Sequence, residues 1–78
     1  MDIFEIFRNA ADPVKAAPMS AYMRNQFSYL GISTPERKKL SQEFLKTLKQ
    51  NDIDWTFIFT CWEMPEREFQ YLAVEYLT

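Results

Sequence analysis

Glu63, Glu66 and Glu68 put three carboxylates into six residues, the raw material of general acid–base catalysis. Carboxylates do that work only where burial or neighbouring charge retunes them. The stronger reading is the bland one: acids near a helix start, favoured by the positive end of its dipole and flanked by Arg67. Arg37, Lys38 and Lys39 form the densest basic cluster. On charge alone it is a solvated helix face. Cys61 is the sole cysteine and histidine is absent, which excludes Cys/His metal sites and histidine-dependent catalysis within the chain. With no basic group adjacent, Cys61 reads as a small buried hydrophobe. Trp55 and Trp62 share a helix face and read as core, with a base-stacking platform as the sharper alternative. Tyr22 falls on an apolar stripe and by spacing is also core.

Composition bounds what can hold these groups. Seventy-eight residues, 47% hydrophobic and 26% charged, make one small domain with a thin core. The net charge of −2 and pI near 5.0 argue against a basic nucleic-acid footprint, yet the charge is segregated. Lys15 to Gln50 hold seven Lys/Arg and two Asp/Glu; the remainder holds two and nine. There is no apolar run of about 18 residues and no signal-peptide pattern, so no membrane contact is expected. The lone cysteine points to a reducing, cytoplasmic setting.

The elements that must position these residues are helices. Gly31 is the single glycine, too few for strand-and-turn architectures, and apolar residues recur at helical spacing almost throughout. Ile3, Phe4 and Phe7 make a first segment ending near Asn9. Asp12-Pro13 caps a second, whose main body Pro18 opens. Met19, Tyr22, Met23, Phe27 and Leu30 form one continuous stripe along it, with Gly31 as its C′ residue. Thr34 is expected as N-cap of a third helix, with Pro35 in its first turn and Leu40, Phe44, Leu45 and Leu48 buried. Asp54 caps a fourth, with Trp55, Ile58, Phe59 and Trp62 on its apolar face. Pro65 restarts the chain into a fifth, with Phe69, Leu72, Ala73, Tyr76 and Leu77 apolar and Glu66, Arg67, Glu68 and Glu75 polar. That helix has no stop signal, and its apolar face has few partners left within the chain. The expectation is an all-α fold of about five helices, antiparallel pairs of an α-solenoid cut between repeats, or a chain that self-associates through the uncovered C-terminal face.

The stretch from Ala17 to Phe27 (APMSAYMRNQF), followed by Leu30 to Lys38 (LGISTPERK), resembles the opening of the AlkD-like DNA alkylation repair family. Trp62 to Gln70 (WEMPEREFQ) resembles that family's next repeat. The resemblance covers nearly all of the chain and about the first third of a typical member. It implies HEAT-like repeats around a positively lined groove for duplex DNA with alkylated bases. It also implies glycosylase activity on cationic N3- and N7-alkylated purines, without metal or cofactor, and with the catalytic carboxylate in later repeats. Residues 1–78 would then be the N-terminal helical repeats of a larger α-solenoid domain, with no catalytic residue among them. The resemblance makes Tyr22 DNA-facing, and assigns Thr34, Arg37 and Lys38 to a helix start that approaches backbone phosphate. Ser33 stands where members commonly have glutamine, a longer reach.

The expected function is the N-terminal part of a DNA repair glycosylase. The alternative is a non-catalytic helical-repeat scaffold for DNA or protein on the same fold. A third reading is a complete small helical protein that dimerises through its fifth helix.

Overall fold

Four of the five helices in the computed structural model, which describes residues 2–78, start on a short polar side chain that accepts a first-turn backbone N–H. Asp2 accepts from Glu5 ahead of α1 (Ile3–Asn9), and Asp12 from Val14 and Lys15 ahead of α2 (Pro13–Tyr22). Ser33 accepts from Glu36 ahead of α3 (Thr34–Leu48), and Asp54 from Phe57 ahead of α4 (Trp55–Glu63). Each cap satisfies a donor that has no partner inside its helix and contributes about 1 kcal/mol. α5 (Arg67–Leu77) begins at Glu66 without a side-chain cap. Its Arg67 N–H donates instead to the Ser28 carbonyl at 2.8 Å. The all-α expectation holds: the described residues contain five helices, and their only β feature is one isolated bridge, Ser28 to Glu66.

α4 and α5 run antiparallel. The Asp54 N–H, at the start of α4, donates to Tyr76 Oη near the end of α5 at 2.8 Å. Gln70 Nε2, near the start of α5, donates to the Met64 carbonyl just past α4 at 2.8 Å. α1 and α5 both pack on α3. The core is aromatic. The Phe57 ring lies 5.3 Å from Phe44, 5.9 Å from Phe4 and 5.5 Å, edge-on, from Tyr76. Phe7 stacks on Phe69 at 5.7 Å. Phe7, Phe69, Leu72, Ala73 and Cys61 are completely buried. Each large side chain so buried contributes about 2 kcal/mol, which offsets the small size of the domain.

The structure corrects the sequence reading at several points. The stripe from Met19 to Leu30 is not continuous. α2 runs straight through Pro18 and stops at Tyr22, because Arg24 and Asn25 take left-handed φ of 56° and 58°. The Asn25 N–H then returns to the Ser20 carbonyl at 2.7 Å, and Phe27 and Leu30 belong to the non-helical segment that follows. Gly31 has the expected positive φ (95°), but for a different reason from a helix end. A Cβ there would sit 2.1 Å from the Asp12 carbonyl oxygen, where the segment crosses the start of α2. The cap of α3 is Ser33, and Thr34 is its first helical residue.

α4 turns Phe57, Ile58 and Cys61 inward, and leaves Trp55, Phe59 and Trp62 exposed at 57%, 60% and 50%. Two overlapping apolar stripes share Ile58. Contacts of Phe57 with α1, α3 and α5 decide which one is buried, and spacing alone does not register them. The apolar face of α5 is covered within the chain: Phe69, Leu72, Ala73 and Tyr76 are buried, and only Leu77 of the expected set is exposed. Glu68, assigned to the polar side, is fully buried.

Candidate nucleic-acid interface

The Glu68 side chain explains how the segment between α2 and α3 is held. Its Oε1 accepts the Leu30 N–H at 2.9 Å, and its Oε2 accepts those of Gly31 and Ile32 at 3.0 and 3.2 Å. Three consecutive backbone donors close around one carboxylate. This satisfies the buried charge and three amides that would otherwise be orphaned. The Asp12 N–H donates to the Leu30 carbonyl at 2.7 Å, tying the same segment to the start of α2. The first turn of α5 is therefore a template that sets where Tyr29 and the start of α3 stand.

Those residues border an open pocket of about 470 Å³, lined by Pro18, Met19, Tyr22 and Met23 of α2, with Tyr29, Thr34 and Tyr71. Tyr22 is 87% exposed, which overturns the core reading from spacing. Deeper in, the Tyr29 and Tyr71 hydroxyls are 3.5 Å apart. The Tyr71 ring is flanked by two guanidinium groups: Arg37 at 5.1 Å and Arg67 at 5.5 Å from its centroid. Arg67 also lies 4.4 Å from the Phe27 ring, and its buried Nε has no hydrogen-bond partner among the described residues. The rings hold the cation by their quadrupoles instead. Burial, then the Tyr71 hydroxyl, pushes the Tyr29 hydroxyl up to about 12. The hydrogen bond from Tyr29, then Arg67 and Arg37, moves Tyr71 below the usual tyrosine value.

Of the four residues singled out for DNA contact, the structure brings Tyr22 and Thr34 to one pocket. Lys38 stands exposed on the adjoining surface of α3. Arg37 differs from the solvated residue expected. It is 7% exposed, donates from Nε to Glu75 Oε1 at 2.9 Å, and makes a second contact with the same oxygen through its terminal nitrogen. Its charge is taken up inside the fold, and it orders Tyr71 rather than reaching outward. Tyr29 and Tyr71 carry no motif in the sequence that marks them for the site, and Arg67 stands there only as a neighbour of acids. Arg67 and Tyr71 are four residues apart on α5, the spacing at which helical side chains meet, and that signal was available. Glu66 accepts two hydrogen bonds from Arg8 at 3.2 Å, so the carboxylates of α5 nearest the site are engaged. No group of three His, Cys, Asp or Glu side chains among the described residues is placed to hold a metal. No helix of the described residues is long and apolar enough to cross a membrane.

The family of DNA alkylation repair enzymes matches residues 3–78. The chain belongs to the DNA alkylation repair enzyme family. A solved structure of a predicted DNA alkylation repair enzyme from Enterococcus faecalis is similar to it, at 38% identity and a TM-score of 0.79. The match covers 85% of this chain and 32% of that one, so the chain spans about a third of the length of that alkylation repair relative. A comparison with curated proteins gave no match.

Proposed function

We propose that these residues form the N-terminal, DNA-facing helical repeats of a DNA glycosylase. The enzyme would release cationic N3- and N7-alkylated purines from duplex DNA by hydrolysing the N-glycosidic bond. The observation that carries the reading is the exposed Tyr22 beside Thr34 at the mouth of α3, in a chain of the alkylation repair family. Tyr22 offers an aromatic face and a hydroxyl to the duplex. Thr34, at a helix N-terminus, offers a hydroxyl and the positive end of the dipole to a phosphate. Lys38 adds a charge one turn on, and Arg37 holds Tyr71 and α5 in place beneath. Contacts of this kind position DNA without reading its sequence.

The bond to be broken develops positive charge on the sugar, which a carboxylate and aromatic faces stabilise. An already cationic base leaves without a strong general acid. Among the described residues, the α5 carboxylates beside the pocket are already engaged: Glu68 is enclosed by three backbone amides, Glu75 is held by Arg37 and Glu66 by Arg8. That arrangement supports placing the catalytic carboxylate outside these residues, in later repeats of one α-solenoid that works in the cytoplasm without metal or cofactor. The test is base release from duplex DNA carrying 7-methylguanine, using protein expressed from its complete gene. Release above the spontaneous rate is expected. DNA binding without release would overturn the enzyme reading in favour of a recognition scaffold.

A further inference from the structure

Tyr29 and Tyr71 line the deeper part of the pocket, and neither hydroxyl takes part in the contacts assigned to Tyr22, Thr34 and Lys38. Both side chains are half-buried, with their oxygens 3.5 Å apart. A phenol has one proton to give and lone pairs that accept. The pair therefore shares one hydrogen bond and leaves one proton over. The neighbouring cations decide which ring keeps it. Arg37 and Arg67 flank the Tyr71 ring at 5.1 and 5.5 Å, and a guanidinium can only donate. Positive charge on two sides stabilises electron density on the Tyr71 oxygen, so Tyr29 donates and Tyr71 accepts. The opposite displacement of the two hydroxyls, Tyr29 upward and Tyr71 downward, agrees with that direction.

The Tyr29 proton is thus committed inside the fold, and the Tyr71 proton is not. The carboxylates that could take it are occupied: Glu68 accepts three backbone amides and Glu75 is held by Arg37. Arg67 fixes the two rings relative to each other. Its side chain lies between Tyr71 and the Phe27 ring, 4.4 Å from the latter, and its backbone N–H holds the Ser28 carbonyl. It thereby joins the segment that carries Tyr29 to the helix that carries Tyr71. We infer that Tyr71 is a further DNA-contacting residue, which donates its hydroxyl proton to an acceptor oxygen of the strand entering the pocket. The inference rests on the DNA-facing reading of the pocket and adds to it a neutral donor from α5.

The test is duplex binding by fluorescence anisotropy, on protein from the complete gene, for wild type, Tyr71→Phe and Tyr29→Phe. Each substitution removes one oxygen and keeps the ring, so the contacts with Arg37 and Arg67 survive and all three proteins should melt alike by circular dichroism. Tyr71→Phe should weaken binding. Tyr29→Phe should leave it near wild type, because the Tyr71 proton is still there to give. A loss above about tenfold marks an ionised phosphate oxygen as the acceptor, and one of about two- to tenfold a neutral sugar or base oxygen. The dependence of affinity on salt should not change, because a neutral donor displaces no counterion. Wild-type affinity in Tyr71→Phe overturns the inference and leaves the pocket reading standing. Equal losses in both variants also overturn it, since the hydroxyl pair would then act only by holding the pocket together. Absence of duplex binding by wild type overturns the pocket reading as well.

Discussion

Replacing Glu68 by glutamine changes one atom of a buried side chain and should cost the fold a large share of its stability. The carboxylate accepts from three successive amides, one on Oε1 and two on Oε2. A glutamine oxygen can stand in for Oε2 and keep the Gly31 and Ile32 bonds, but its NH2 then faces the Leu30 N–H, donor against donor. One buried amide is left unpaired, at about 1–3 kcal/mol, and the two surviving bonds lose their charge assistance, about 1 kcal/mol together. Relief from burying a charge offsets part of this. The net expectation is a loss of about 2–4 kcal/mol, against a total of roughly 4–12 kcal/mol for a domain this size. Urea unfolding followed by circular dichroism measures it, and amide hydrogen exchange localises it. Leu30, Gly31 and Ile32 should lose protection before the core of α5 does. A change under about 0.5 kcal/mol, the range of ordinary surface substitutions, with these three amides still protected would refute the clamp.

Gly31→Ala should destabilise by about 3–4 kcal/mol in the same unfolding assay, because it meets both a left-handed φ and the Asp12 carbonyl at 2.1 Å, and backbone cannot move aside cheaply. Glu75→Ala leaves Arg37 buried without its partner. A loss of about 2–3 kcal/mol is expected, below the ~3–5 of a fully enclosed pair because Glu75 is partly exposed, and the near-ultraviolet signal of Tyr71 should change with it. Cys61 is completely buried, and burial raises its thiol from the usual 9.0 to about 12. Disulfide reagents at about pH 8 should therefore label it only as fast as the protein opens, with full reaction in denaturant. A group whose pKa is raised by folding stabilises fully below its unfolded value, and that contribution is lost as pH rises through the folded one. Cys61 and Tyr29 both behave so, and stability should fall from about pH 9 to 12. Tyr71 is shifted the other way and opposes part of this. Cys61→Ala should remove the onset of the decline near pH 9 in unfolding curves taken across that range.

Helix number and most helix starts were legible because caps are local. Asp12-Pro13 and Asp54 need no tertiary information to act, and Ser33 differs from the expected Thr34 by a single position. The buried apolar face of α5 was legible from spacing, but on α3 only Leu45 of the expected set is fully buried; Leu40, Phe44 and Leu48 are half-buried, and Arg37 and Ser41 take the innermost positions. The path after Tyr22 was not. A stripe of Met, Tyr and Phe at helical offsets looks the same whether the backbone stays helical or turns left-handed at Arg24 and Asn25, and the choice rests on Glu68, more than thirty residues away. The role of Glu68 was hidden because a buried glutamate accepting backbone amides has the same sequence as an exposed one. At the candidate interface, Tyr22 and Thr34 were reachable only through family resemblance. Arg37 was misjudged because its partner Glu75 lies 38 residues on. The α4 face was misjudged because amphipathicity gives a period, and not which of two neighbouring stripes meets a core.

The outward set of Trp55 and Trp62 gives this molecule a particular optical character. Both tryptophans stand half in water on the same side of α4, with Phe59 beside Trp55 at 6.3 Å, and none sits among Phe7, Phe57 and Phe69. Emission should therefore be red even in the folded state and shift little on denaturation, since the indoles exchange one aqueous surrounding for another. Burial of that side of α4 under another helix, in contrast, would move both indoles together into a dry environment and turn the emission blue. Intrinsic fluorescence in this protein thus reports whether α4 is covered and is nearly silent about whether the core is formed.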